Sequence, residues 1–332
     1  MSNDSTLAML DAMSGYFKTQ IVHALASLSI ADHLAERPAS LATLVEKTGA
    51  HPDGLRRLCR AAASMGLLGV EDNDTFASTP MLDTIRDEAP LRAMAIVHGS
   101  ACFWQPWGRL IEAVRTGEAQ SITTLGLPFF DYIAANPVEA SVFSKAMHAT
   151  SQNVQAEVVR LTDTTNVMTV ADIGGANGAL VCAMAAANPA LKGIVFERSH
   201  SLDNAIAFIR QQGLADRVKA IGGDFFEAVP TADLYVLKYI LHDWDDAACV
   251  KLLTNCRSAM SNTGRVAIVE MRLGPMGEPS RVPFVDLMML VTNGGRERTP
   301  EEYGKLLAQA GLKLASVKDT STPFSILEAV CA

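Results

Sequence analysis

The stretch from Thr169 to Asp246 constrains the fold more than any other part of the chain. It reads TVADIGGANGAL, then IVFERSH, VKAIGGDFF and ADLYVLKYILHDWDD. Three short apolar runs of strand type end in glycines or acids, and a fourth ends in a histidine flanked by acids. Helical segments, ALVCAMAAA and SLDNAIAFIRQQG, lie between the runs, and AACVKLLTNCRSAM, RVAIVEM and TPEEYGKLLAQAG extend the alternation. Strands that alternate with helices must pair in parallel, which buries both faces of the sheet under helices. Thr299 caps the last helix, with Pro300 in its first turn and Gly311 beyond its end. The final runs, KLASVKD and SILEAVCA, have no helix between them, so they are expected to form an antiparallel hairpin at the sheet edge.

In an open sheet of this kind, ligands sit beyond the carboxyl ends of the strands. The first such turn is Asp172-Ile173-Gly174-Gly175-Ala176-Asn177-Gly178, where glycine lets the backbone approach a ligand closely. Glu197 ends the second strand, 25 residues after Asp172, where a carboxylate accepts from ribose hydroxyls. Asp224 ends the third, in reach of an adenine or ribose edge, and Phe225 beside it can pack on the ring. The turn has neither GxGxxG nor GxxxxGK[ST] spacing, so it is not built for a pyrophosphate or triphosphate. The pattern suits a nucleoside with a small zwitterionic tail.

The N-terminal part is organised differently. Residues 5–36 read as two apolar helices with the face of a subunit contact: Leu7, Leu10, Met13 and Phe17, then Ile21, Ala24, Leu25 and Leu28. Residues 38–79 follow as helix, turn, helix and hairpin, a winged-helix arrangement with Ser40 as cap, Gly49 as stop, Pro52 as the second start and Asp72-Asn73-Asp74 at the hairpin tip. That arrangement raises DNA binding, with Arg56, Arg57 and Arg60 on the second helix. Residues 1–100 nevertheless hold 12 acidic against 8 basic residues, a net of −4, whereas phosphate contact needs a basic surplus. Residues 90–163 read as interrupted helices, and aromatic side chains concentrate there. Phe103, Trp104, Phe130 and Phe143, with Met147 one turn beyond Phe143, are read as the wall of an apolar ligand pocket. Met288, Met289 and Asn293, on a helix entering the loop of Glu297, are read as its other contacts, since methionines adapt to flat ligands.

Bulk properties narrow the class. The 332 residues suit about two domains. The net charge of −8 argues against nucleic acid and anionic membranes as partners. No apolar run reaches the roughly 18 residues of a membrane span, and MSNDSTLAML lacks the pattern of a signal peptide. The six cysteines form no CxxC pair, and Cys249 and Cys256 lack the second pair of a structural zinc site, so reduced thiols in a cytoplasmic protein and no metal are expected.

DIGGANG, GDFFEAVPTADLYVLKYILHDWDD, CRSAM, GRVAIVE and NGGRERTPEEYGKLLAQAG together resemble the S-adenosylmethionine-dependent O-methyltransferases of the plant caffeate type and their bacterial secondary-metabolite relatives. The resemblance runs over nearly the whole chain, and LHDWDD followed by GGRERT is its most specific part. It implies a Rossmann-like class I methyltransferase sheet, α/β with helices on both faces, preceded by a mainly α winged-helix dimerisation domain, and a homodimer. The expected divisions are a dimerisation domain over 1–100, a helical linker and acceptor region over 101–165, and a cofactor-binding domain over 166–332. Position by position, Gly174, Glu197, Asp224, Phe225 and Lys238 match cofactor contacts, His242 the general base, and Glu270 and Glu297 the acids that bracket it. The chain departs from the family in having Ala176 for the third turn glycine and Glu197-Arg198-Ser199 for Asp-Leu-Pro.

The implied reaction is methylation of an aromatic hydroxyl of a small secondary metabolite. An ordinary imidazole titrates at about 6.5, so His242 is expected to be largely neutral at pH 7 and able to take a phenolic proton. N-methylation of a heteroaromatic acceptor is one alternative, because a neutral nitrogen needs no base. Cofactor-assisted hydroxylase or pericyclase chemistry without methyl transfer is another, and a winged-helix metabolite sensor is a third.

Overall fold

The computed structural model describes residues 3–72, 74–199 and 202–332; the hairpin-tip Asn73 lies outside them. The chain divides into two compact units, residues 1–108 with 121–150 and residues 109–120 with 151–332.

In the first unit the helices Asn3–Met13 and Gly15–Ser27 lead into Leu41–Thr48 and Pro52–Ser64. Ser40 Oγ accepts from the Thr43 N–H and opens the third of these; Gly49, with φ of 68°, ends it. Strands β1 (Ala39–Ser40), β2 (Leu68–Asp72) and β3 (Thr75–Ser78) form a small antiparallel sheet in the order β1-β3-β2. Leu25, Leu44, Leu55, Cys59 and Phe76 lie in the core beneath it. On the second winged-helix segment, Arg56 pairs with Asp74 and Arg57 with Asp53. The helices Arg92–Gly99, Ala101–Trp107, Ser121–Leu125 and Phe129–Ala135 follow, and Pro137–Leu161 carries the chain onward.

The second unit is built on a seven-stranded sheet: β4 (Thr169–Ile173), β5 (Lys192–Glu197), β6 (Val218–Gly222), β7 (Ala232–Lys238), β8 (Met260–Met271), β9 (Leu312–Asp319) and β10 (Phe324–Cys331). The order is β6-β5-β4-β7-β8-β10-β9, with the first five parallel and β10 antiparallel to both β8 and β9. The closing hairpin does lie at the edge, with β10 inserted against β8 and β9 outermost. The order reverses between β4 and β7, so their carboxyl ends flank the crevice where ligands of such sheets bind.

Both faces carry a core. Val170, Leu180, Val195, Leu234 and Ile326 belong to one, and Ile173, Tyr235, Leu253, Ile268 and Leu307 to the other. Helix Pro300–Gln309 starts with a complete capping box between Thr299 and Glu302. All six cysteines are unpaired. Among the described residues no helix is long and apolar enough to cross a membrane.

Candidate active site

The cofactor end begins where β4 stops. Gly174 has φ of 67°, and a Cβ there would fall 2.5 Å from Ile240 Cδ1, so both conformation and space demand glycine. Ala176 stands at φ of 49°, a left-handed conformation that its Cβ makes unfavourable. Glu197 explains how the turn is held: Oε2 accepts from the Ala176 N–H at 3.1 Å and Oε1 from the Arg198 N–H at 2.8 Å. The extra methylene relative to aspartate thus reaches back to the glycine turn, leaving each oxygen a second lone pair for a hydroxyl donor. Asp224 is exposed, and its Oδ1 accepts from the Phe226 N–H at 2.8 Å. Phe225 packs edge-on against Phe226 and Trp244, with ring centroids 4.7 and 6.0 Å apart. Lys238 is half-buried at the end of β7. Burial lowers its pKa, against the pull of Asp172 and Glu270. Asp172 is itself pushed up to about 7 by burial, against the pull of Lys238.

His242 is presented by a single 3₁₀ turn, Leu241–Asp243, beyond β7. Neighbouring β8 supplies Glu270, whose Oε1 accepts from the N–H groups of Ile240 at 2.9 Å, Leu241 at 2.8 Å and, more loosely, His242 at 3.4 Å. Glu297 Oε1 lies 2.8 Å from His242 Nδ1. The Arg296 N–H donates to the His242 carbonyl at 2.8 Å, tying the Glu297 loop to the turn. Asp243 Oδ1 is 3.5 Å from His242 Nε2 and accepts from Asn293 Nδ2 at 2.8 Å. Tyr239, in a left-handed conformation with φ of 61°, stacks its ring on the imidazole at a centroid distance of 3.8 Å. His242 is 3% exposed, and Glu270 and Glu297 are fully buried.

The two acids that bracket His242 act on different parts of it: Glu297 meets the imidazole, whereas Glu270 holds the backbone that carries it. One expectation changes here, because His242 is not an ordinary imidazole. Burial opposes its charged form, but Asp243, Glu270 and Glu297 outweigh that and raise its pKa to about 10. Burial raises Glu270 to about 7, against the pull of His242. One donor atom each from His242, Glu270 and Glu297 lie within 4.8 Å of one another.

The second unit also contains Met288, Met289 and Asn293, expected from the sequence to contact a ligand, on and just after helix Val282–Thr292. Asn293 is tied directly to the site through Asp243; Met289 is buried and Met288 half-buried. Phe103, Trp104, Phe130, Phe143 and Met147 belong to the first unit. There Phe103 stacks on Phe129 at 5.7 Å and Phe143 packs edge-on against both. Phe103 is therefore an inner member of the cluster, while Trp104, Phe130, Phe143 and Met147 keep exposed surface.

Sequence reasoning left Tyr239, Asp243 and Arg298 without a site role. The HDWDD and RERT runs were signals for two of them, but nothing local shows that Tyr239 stacks on His242.

Gly295 gives a direct test of how closely the loop approaches the turn. A Cβ there would lie 2.0 Å from the His242 carbonyl oxygen and 2.5 Å from the Asp243 carbonyl carbon. Backbone atoms must move to accept it. Gly295→Ala is therefore expected to cost about 1–3 kcal/mol in a thermal melt and to part His242 from Glu297, with loss of turnover.

Comparisons with known proteins agree with this architecture. Residues 107–313 match the model of the O-methyltransferase domain, and residues 10–87 that of the O-methyltransferase dimerisation domain. The chain is 36% identical to the phenazine O-methyltransferase PhzM of Lysobacter antibioticus, over 97% of this chain and 95% of the relative. It superposes on the structure of a mitomycin 7-O-methyltransferase with a TM-score of 0.95 and 31% identity, covering 99% of this chain and 98% of that one. It is also similar, with a TM-score of 0.87 and 29% identity over 95% and 96% of the two chains, to an O-methyltransferase from neocarzinostatin biosynthesis in complex with S-adenosylmethionine and 2-hydroxy-5-methyl naphthoic acid. A doubly wound sheet, a glycine turn faced by an acid at the next strand end, and matches to both domain models lead to one conclusion: the chain belongs to the S-adenosylmethionine-dependent O-methyltransferase family.

Proposed function

We propose that the protein methylates an aromatic hydroxyl of a small secondary metabolite, with His242 as general base. The observation that carries this reading is the 2.8 Å contact between His242 Nδ1 and Glu297 Oε1. A carboxylate only accepts, so it fixes the proton on Nδ1 and leaves Nε2 as the basic atom. When bound, S-adenosylmethionine supplies an electrophilic methyl group on its sulfonium. The chain's part is to hold the nucleoside and the acceptor in line and to take the hydroxyl proton on Nε2. Glu297 then faces the imidazolium that forms, and Glu270 keeps the turn in place.

Gly174, Glu197, Asp224, Phe225 and Lys238 are proposed to hold the cofactor. The fit is supported by the positive-φ turn and by a Glu197 carboxylate fixed beside it with lone pairs to spare. Asn293, Met288 and Met289, on and just after helix Val282–Thr292, are proposed to contact the acceptor.

A homodimer is part of the proposal. Leu7, Met9, Leu10, Met13, Tyr16 and Phe17 are each more than half exposed, within and beside the segment that matches the dimerisation domain. Large exposed apolar faces mark subunit contacts. Wild-type protein is expected to run as a dimer in size-exclusion chromatography with light scattering, and Leu10→Glu with Phe17→Glu as a monomer. A monomeric wild type would refute the assignment.

The substrate class is tested by incubating purified enzyme with methyl-labelled S-adenosylmethionine and a panel of aromatic hydroxy and amino compounds, read by mass spectrometry. Label on oxygen of the hydroxy compounds is expected. Label confined to nitrogen, or a hydroxylated or rearranged product without label, would overturn the reading.

A further inference from the structure

Arg298 is buried, 1% exposed, among the residues of the base turn. Its Nη1 donates to the Leu241 carbonyl at 3.0 Å and to the Arg296 carbonyl at 3.2 Å. Nη2 donates to the Trp244 carbonyl at 2.8 Å, and Nε and Nη2 both meet Asp246 Oδ1, at 3.1 and 2.8 Å. Leu241 and Trp244 stand on either side of His242 and Asp243. Glu297, which meets the imidazole, is the residue just before Arg298.

A one-turn helix leaves its first N–H groups and last carbonyls without internal partners, and inside a protein those groups must be satisfied by side chains. Glu270 takes N–H groups of this turn, and Arg298 takes the carbonyls of Leu241 and Trp244, which the weak donor Cys249 Sγ also approaches at 3.2 and 3.6 Å. The two charges therefore hold the same turn from opposite ends. The guanidinium alone among these groups also ties it to the Arg296 carbonyl in the Glu297 loop and to Asp246 in the first turn of helix Asp246–Ala259, because a planar fork carries five N–H directions.

We propose that Arg298 is a positioning residue for methyl transfer: it locks the turn that carries His242 to the loop that carries Glu297, so that Nδ1 and the carboxylate stay in hydrogen-bonding register. It touches neither the acceptor nor the cofactor in this role. The proposal rests on the reading of His242 as the base.

The informative substitution is Arg298→Lys, which keeps the positive charge beside the acids and removes the fork. The full-length chain, labelled with ¹⁵N-histidine and saturated with S-adenosylhomocysteine, is observed by NMR, with His242→Asn assigning the signal. Wild type is expected to show a downfield Nδ1–H resonance from the bond to Glu297. In Arg298→Lys that resonance should broaden or vanish and turnover should fall about 10- to 100-fold, the scale of an ångström-level misplacement. Affinity for S-adenosylhomocysteine should stay within about twofold, because the lock lies outside the glycine turn and Glu197. Asp246→Asn weakens the guanidinium's anchor at a side chain that is 58% exposed, and decides the question if Arg298→Lys does not fold. An unchanged Nδ1–H resonance in the folded variants would overturn the proposal. Full turnover in His242→Ala, combined with an Arg298-dependent resonance, would refute the base reading: Arg298 would still lock the turn to the Glu297 loop, but its role in methyl transfer would be overturned.

Discussion

Replacing His242 by alanine is expected to lower turnover about 10²- to 10⁴-fold, the usual contribution of a positioned base, while affinity for S-adenosylmethionine stays within about twofold. The separation follows from placement. The glycine turn, Glu197 and Asp224 lie at the ends of β4, β5 and β6, whereas His242 stands on its own turn beyond β7. Isothermal titration with the cofactor and single-turnover methylation of a phenolic acceptor measure the two effects independently; unchanged turnover would end the assignment. The pH profile carries a second signature. Only the neutral ring accepts a proton, and the surrounding acids favour the charged one, raising its pKa to about 10 in the free protein. Activity of the free enzyme, read as kcat/KM, should therefore fall as pH drops, along an acid limb lying above the value of about 6.5 of an isolated imidazole. A bound sulfonium adds positive charge and moves the limb of kcat back toward neutrality.

Glu270→Ala should be nearly as damaging, by a different route. Its Oε1 satisfies two well-formed N–H bonds at the start of the turn, to Ile240 and Leu241. Left without a partner, each buried donor costs about 1–3 kcal/mol. Relief of burying the carboxylate offsets part of this, so a net loss of about 2–4 kcal/mol is expected in chemical denaturation, accompanied by a loss of turnover. Glu270→Gln separates the two roles. The amide oxygen still accepts from the turn, so most of the stability should return. Its lost charge removes one of the groups that raise His242, so the acid limb should move to lower pH. An unshifted limb in Glu270→Gln would show that Glu270 acts through the backbone alone.

These two acids show where sequence and structure part company. Both were recognisable as members of the site, because Glu270 ends an apolar strand and Glu297 sits in GGRERT. Their roles were not, since one carboxylate faces the ring and the other the backbone only because β8 lies beside β7 while the Glu297 loop comes from a distant part of the chain. The altered titration of His242 was hidden for the same reason. Three carboxylates converge on it, and only Asp243 is adjacent in the chain. Glu197 shows the opposite outcome: an unusual residue at a recognisable position, whose longer side chain is accommodated by bonding to the Ala176 N–H.

Strand and helix periodicity, glycine at turns and acids at strand ends are local properties, and they determine the alternating fold, its class I sheet and the end at which a nucleoside binds. The aromatic cluster could be located from composition, but which rings are inward depends on packing, and Phe103 proves to be more enclosed than its pattern implied. The holding of the His242 turn by Glu270 and Arg298, the stacking of Tyr239 on His242 and the choice of Glu297 as the imidazole's partner were decided only by the tertiary structure. A single 3₁₀ turn cannot satisfy its own polar groups, so its conformation and the titration of its histidine are set by side chains that the fold brings from elsewhere.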